Sequence, residues 1–253
     1  MQFPTTIPFK AVVLLVLCTQ AGCVATGIAA SPVGDSCHPD FDKDAPQYIV
    51  GYGSLMETAS KKRSSPTAGP NIPVRVKGFA REWNTRGNTV GFSTTFLGVK
   101  TDANAHIVAT VYRDPNPGDI KGTDGRETYY CRVAVPESNI ELLVDDFVFP
   151  PDSHVWIYVN KPDSTFPPDA RWPIVQSYVD IFMNGCLELN ERTANPDFDL
   201  VEACITTTRG WSKHWVNDRL YPRRAFIYEP NASKIDGYLN RLLPEEFGAI
   251  VIE

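Results

Sequence analysis

From Gln47 to Val159 the chain reads as strand after strand with hardly a convincing helix, and this run constrains its fold more than any other feature. Tyr48-Ile49-Val50 is a short β-branched and aromatic stretch. Residues 72–79 alternate through Ile72, Val74, Val76 and Phe79, with a bulge or turn expected at Gly78. Residues 91–99 read as another strand, and 105–112 as one of the buried kind, nearly all apolar or β-branched. Asp114-Pro115-Asn116-Pro117-Gly118 is turn chemistry, and residues 130–135 and 155–159 add further strands. Residues 61–70, polar and punctuated by Pro and Gly, are expected as a surface loop. The period then changes. Ile174, Tyr178, Ile181, Phe182 and Cys186 stand at helical spacing behind Pro173, which suits a first turn. A second helix is expected over 234–243, closed by Pro244; Trp211, Trp215 and Tyr221, between the two, are expected to pack on the body. Strands first and helices later, without βαβ alternation, define an α+β class. The expected form is a closed or strongly curved, barrel-like sheet at 47–160 with a C-terminal helical extension over 161–253.

The N-terminus points to export. Lys10 precedes Ala11-Val12-Val13-Leu14-Leu15-Val16-Leu17-Cys18, an apolar run too short to span a bilayer as a mature helix. Ala21-Gly22-Cys23 follows, so residues 1–23 resemble a bacterial lipoprotein signal in which Cys23 would become the lipidated first residue. Conventional cleavage near Ala25 or Ala30 is the other reading. By either route the chain is exported, periplasmic or membrane-anchored in a bacterium, with membrane contact only through the lipid. Residues 24–46, rich in Gly, Ser, Pro and Asp, read as a polar tether to a domain at 47–253. Cys37, Cys131, Cys186 and Cys204 would permit two disulfides in three connectivities, or remain as buried thiols. No pair has C-x-x-C spacing, and His38, His106, His154 and His214 do not cluster with them, which argues against zinc. With 24 Lys and Arg against 30 Asp and Glu the net charge is −6, and the basic residues are scattered apart from Lys61-Lys62-Arg63 and Arg223-Arg224. No basic stripe exists to hold nucleic acid.

Two features carry candidate chemistry. The first strand ends on Gly51-Tyr52-Gly53-Ser54, a sharp turn that leaves backbone N–H groups off the ladder. Such a nest can hold a carboxylate, although an ordinary strand–turn explains the spacing as well. Glu127 stands just before a strand, between Arg126 and two tyrosines. In an aromatic pocket such a carboxylate can carry protons between an amine and a leaving group. On the surface it would simply pair with Arg126 or Arg132. Glu82, beside Arg81 and Trp83, is the competing acid and reads as a structural ion pair. Ser54 lacks a G-x-S-x-G elbow and no His is picked out as its base, which disfavours a serine triad. No Walker or dinucleotide pattern asks for a nucleotide cofactor.

Three blocks, in order, resemble the γ-glutamylcyclotransferase superfamily. They are Gly51-Tyr52-Gly53-Ser54-Leu55, then Val76-Lys77-Gly78-Phe79-Ala80-Arg81, then Asp124-Gly125-Arg126-Glu127 with Tyr130, and they cover residues 48–135. The resemblance implies a mixed, curved sheet and an enzyme of carbon–nitrogen lyase or acyltransferase type. Such an enzyme cyclises a γ-glutamyl group to 5-oxoproline and releases an amine or amino acid, for example from glutathione or a γ-glutamyl amine. It implies Glu127 as general acid and base, with Gly51, Tyr52, Gly53, Ser54, Leu55 and Tyr130 binding the small-molecule substrate. No metal or organic cofactor is implied. Two other readings stand beside it: an exported noncatalytic domain that binds a ligand or envelope partner with the same fold, and an enzyme transforming the amide of a modified γ-glutamyl intermediate.

Overall fold

The computed structural model describes residues 37–87, 93–127, 129–224 and 229–253; the expected export segment, Cys23 and the first part of the expected tether lie outside the described residues. Along the chain come β1 (Gln47–Gly51), a 3₁₀ turn (Ser54–Met56), α1 (Thr58–Ser64), β2 (Ile72–Gly87) and β3 (Thr94–Asp114). They are followed by α2 (Pro117–Arg126), β4 (Tyr130–Ala134), β5 (Ile140–Leu142) and β6 (His154–Asn160). The C-terminal part has β7 (Ile174–Val175), α3 (Gln176–Asn190), α4 (Leu200–Thr206), β8 (Thr208–Arg209) and β9 (Trp215–Asn217). It ends with α5 (Ala232–Leu242), α6 (Pro244–Phe247) and β10 (Val251–Ile252).

The α+β class is as expected, but the sheet is open. Its order is β4-β6-β1-β3-β2-β5, with β8 pairing beside β2. β4 and β5, of 5 and 3 residues, are its edges and do not pair with each other, so the expected closure into a barrel does not occur. β1 lies antiparallel to β3 and parallel to β6. The long hairpin of β2 and β3 bends through register shifts at Lys77/Phe79 and Trp83/Thr85, and Gly78 takes φ +87°. The bulge expected at Gly78 is therefore present, in a backbone region that favours glycine. Two strands expected over 91–99 and 105–112 are one strand, β3: its ladder with β2 resumes on either side of residues 102–105, with Phe79 opposite Thr101 and Lys77 opposite His106. Ladder pairing on both sides carries the strand through that polar stretch.

Both faces of the sheet are covered. Ile107, Ala109 and Val111 join Tyr48, Val50, Val74, Val76 and Ile157 in one cluster, while Val108 faces the other with Leu97, Trp83 and Met56. That two-sided burial is why residues 105–112 carry no polar face. The second cluster is built around α3, which is buried along nearly its whole length. The expected C-terminal extension is thus not a separate layer: α3 completes the core of the strand half, and β10-β9-β7 form a small second sheet. Trp211 and Trp215 pack on the α3 cluster as expected, with their rings 5.2 Å apart, but Tyr221 is 84% exposed. Pro244 opens α6 as well as following α5.

Two helices replace expected turns and loops. Pro117 takes the start of α2, where its fixed φ and missing N–H are harmless, and the helix runs to Arg126. Residues 61–70 begin in α1, and Lys61 is fully buried, donating to the Gly69 carbonyl at 2.5 Å and Asn71 Oδ1 at 2.6 Å. Burial brings its pKa down to about 8. A lysine is ordinarily read as exposed, which hid this anchor.

The four cysteines pair as Cys37–Cys131 and Cys186–Cys204. The described end of the expected tether is held down: the Cys37 carbonyl accepts from the Arg132 N–H at 2.8 Å and Pro39 O from Arg132 Nη2 at 2.6 Å. The sequence separations of 94 and 18 residues differ widely. In a chain-entropy account they stabilise by about 4.7 and about 3 kcal/mol. Denaturant unfolding is expected to show a larger loss for Cys37→Ala than for Cys186→Ala.

Glu229 supplies a pH-dependent contribution. Burial, and then the charge of Asp180, push its pKa up to about 7, although Asn184 Nδ2 and the Asn231 N–H donate to it. Asp180 is itself held by Arg219 at 2.7 Å, which also holds Asp236 at 2.8 Å. A carboxyl whose folded pKa is raised stabilises the fold at acid pH, and that contribution is lost as pH rises through about 5 to 7. Glu229→Gln is therefore expected to raise the melting temperature relative to the native protein more at pH 8 than at pH 5, read by thermal unfolding at the two pH values.

Candidate active site

β1 runs between β3 and β6 and delivers its glycine turn to the mouth of the sheet. The 3₁₀ turn closes with the Met56 N–H donating to the Gly53 carbonyl at 3.0 Å. Helix α3 packs directly on it. A Cβ on Gly185 would stand 2.5 Å from the Met56 carbonyl carbon, and one on Gly53 would stand 2.7 Å from the Tyr178 hydroxyl. Gly185 meets backbone and needs glycine for this approach, whereas a side chain at position 53 would displace the Tyr178 hydroxyl. Burial raises the pKa of the Tyr178 hydroxyl, and Ser54, through backbone and side chain, works against that rise. The nest expected from the sequence is thus partly filled by a phenol from α3, and Tyr178 shares its polar surface.

Arg81 holds the turn from behind. Its side chain is wholly buried, and Nη1 donates to the carbonyls of Tyr52 at 3.1 Å and Val108 at 2.8 Å. Nη2 donates to the Cys204 carbonyl at 2.8 Å, Nε to Thr208 Oγ1 at 2.7 Å, and the guanidinium lies 4.6 Å from the Phe182 ring centre. These acceptors are all neutral, and burial lowers its pKa to about 9. The arginine of the second sequence block is therefore a tie between the glycine turn, β3 and the end of α4. Sequence reasoning assigned it no such role.

Glu127 closes α2: its N–H donates to the Thr123 carbonyl at 2.8 Å and its carbonyl accepts from the Tyr130 N–H at 3.0 Å. One turn earlier, Asp124 is taken up by Arg132 at 3.0 Å and by the Tyr158 hydroxyl at 2.8 Å. Arg132 therefore meets Asp124, and Glu127 lines a cavity of about 320 Å³. Tyr52, Gly53, Ser54, Leu55 and Tyr130 line the same cavity, while Gly51 lies just behind, toward Leu55 and Thr110. The sequence-predicted residues converge apart from Gly51. The competing acid, Glu82, pairs with Lys100 at 2.7 Å and Arg209 at 3.7 Å, as the sequence suggested.

The cavity also includes Arg63, Tyr158, Tyr178 and Arg224, which sequence reasoning missed as site residues. Tyr178 stood at helical spacing among apolar residues, indistinguishable from a core aromatic, and Arg224 had only its pairing with Arg223 to mark it. Tyr52, Tyr130, Tyr158 and Tyr178 all have raised pKa values, first through burial, with the negative charge of Glu127 adding to each. They stay protonated, and three of them direct their single O–H within the protein: Tyr52 to the Tyr158 carbonyl at 2.7 Å, Tyr130 to the Leu97 carbonyl at 3.5 Å and Tyr158 to Asp124 at 2.8 Å. A second cavity of about 350 Å³ shares Ser54, Glu127, Tyr130, Tyr178 and Arg224 with the first. Among the described residues no group of three or more His, Cys, Asp or Glu could hold a metal ion.

No known family profile matches the chain, and comparison with curated proteins found no match. The fold is similar to solved structures. One, titled a γ-glutamyl cyclotransferase, is 13% identical, with 56% of this chain and 79% of that one covered and a TM-score of 0.44. An uncharacterized protein from Homo sapiens is 14% identical, with 63% and 86% covered and a TM-score of 0.46. A γ-glutamyl cyclotransferase specific to glutathione from yeast is 13% identical, with 64% and 97% covered and a TM-score of 0.39. These likenesses assign no residue a role.

Proposed function

We propose that this protein is a γ-glutamylcyclotransferase-type enzyme that closes a γ-glutamyl group to 5-oxoproline and releases the attached amine. The observation that carries the reading is the meeting of the Glu127 carboxylate and the Tyr52–Leu55 turn in one cavity, from distant parts of the chain. The glutamyl α-amine attacks its own γ-carbonyl carbon, forming the lactam C–N bond. Glu127 takes the proton released from that amine. The tetrahedral oxyanion is met by backbone N–H groups of the turn. As the original amide C–N bond breaks, Glu127 returns the proton to the leaving nitrogen. No water is consumed. Because the nucleophile is tethered, holding the glutamyl chain folded is worth an effective molarity on the order of 10⁵ M. The two disulfide pairings suit an exported chain, and export is retained as part of this reading.

The test is incubation of the purified protein with a panel of γ-glutamyl amides and peptides, glutathione included, with 5-oxoproline followed by mass spectrometry. At least one member is expected to give 5-oxoproline and free amine in equal amounts. A folded protein that yields none from any member would overturn the proposal.

A further inference from the structure

The two cavities meet at Glu127, and their separate walls differ in chemistry. The cavity that holds the glycine turn has Arg63, Ser60 and Ser64 on its own wall. The other has Arg86, Phe96 and Tyr129. Arg86 is already matched, at 2.5 Å from Asp169 and within 4.6 Å and 4.3 Å of the Phe166 and Trp172 ring centres. Arg224 is different. It lines both cavities, 5.4 Å from the Phe96 ring centre and 6.0 Å from that of Tyr178, and its backbone N–H goes to Ser177 Oγ. Among the described residues its guanidinium has neither a hydrogen bond nor an ion pair. A part-buried guanidinium on a cavity wall without an anion is a receptor for a carboxylate, which it can take in a bidentate grip. The faces of Phe96 and Tyr129 beside it accept a flat apolar body.

We infer that the second cavity receives the leaving group of the proposed reaction, and that Arg224 is a specificity-determining residue selecting an aromatic α-amino acid there. This rests on the cyclotransferase reading. The leaving residue's carboxylate meets Arg224 and its ring lies against Phe96 and Tyr129, which places the scissile amide beside Glu127, on the wall common to both cavities. With γ-glutamyl-phenylalanine the lactam C–N bond forms and the amide C–N bond breaks. The proton from the attacking amine passes through Glu127 to the phenylalanine nitrogen, so that 5-oxoproline and phenylalanine account for every atom.

Three probes separate the contributions: γ-glutamyl-phenylalanine, γ-glutamyl-phenethylamine, which lacks only the carboxylate, and γ-glutamyl-alanine, which lacks the ring. The native protein is expected to favour the phenylalanine conjugate over the phenethylamine one in kcat/KM by about 10- to 100-fold, the scale of a charge-assisted contact. In Arg224→Gln that ratio is expected to collapse toward one. In Phe96→Ala the preference for phenylalanine over alanine is expected to shrink. Equal turnover of the phenylalanine and phenethylamine conjugates, or an unchanged ratio in Arg224→Gln, would overturn the inference while leaving the cyclotransferase reading intact. Absence of 5-oxoproline from all three and from the wider γ-glutamyl panel would overturn that reading, and this inference with it.

Discussion

Glu127→Gln is expected to lower the rate of 5-oxoproline formation by about 10²- to 10⁴-fold, the usual weight of a positioned general acid–base group. The substitution keeps the size of the side chain and the backbone bonds that end α2, since the Glu127 N–H and carbonyl are bound to Thr123 and Tyr130. What it removes is a group that can take a proton from one nitrogen and return it to another. The circular-dichroism spectrum should therefore remain that of the native protein while turnover falls. Glu82→Gln is the matched control, because Glu82 is committed to Lys100 and Arg209 and lines neither cavity. A partly exposed ion pair contributes about 1 kcal/mol or less, so its loss should leave the rate within a few-fold of native. Comparable rates for Glu127→Gln and the native protein, measured on the best substrate of the panel, would remove Glu127 from the mechanism.

Arg81→Lys is expected to cost about 3 kcal/mol of stability, the scale of breaking a buried charged group from its partners. Lysine keeps the buried charge but replaces a planar five-donor fork with a single ammonium centre. It cannot reach the Tyr52, Val108 and Cys204 carbonyls and the Thr208 hydroxyl together. Each buried acceptor left unmet adds about 1–3 kcal/mol. The effect should extend to function, since the Tyr52 carbonyl is where the tie reaches the glycine turn: KM for the γ-glutamyl substrate should rise as the turn loosens. Urea unfolding and steady-state kinetics on the same variant read both. A loss below about 1 kcal/mol would mean that Arg81 is not the clamp its geometry describes.

The glycine turn, the Gly78 bulge and the Glu127 block were legible because each depends on local chemistry: backbone freedom at a glycine, or a short motif around one carboxylate. The polar middle of β3 and the residues of α2 were not, because pairing with β2 and the helix-starting use of Pro117 are decided beyond the local composition. Openness of the sheet was equally invisible, since counting strands says nothing about whether β4 and β5 meet. The site was half legible. Glu127 and the turn carry motif spacing, whereas Tyr178 reaches the cavity from a helix whose other residues are core, and Arg224 from a segment with no regular period. Lys61 was misplaced because its burial depends on two acceptors, Gly69 and Asn71, that come into place only when the chain folds back.

The most direct measurement is turnover of the best γ-glutamyl substrate in water enriched in ¹⁸O, with both products identified by mass spectrometry. Intramolecular attack by the α-amine predicts 5-oxoproline without ¹⁸O, formed in equal amount with the released amine. Glutamate carrying ¹⁸O would show that water attacks the γ-carbonyl, and would contradict the cyclisation on which the account rests.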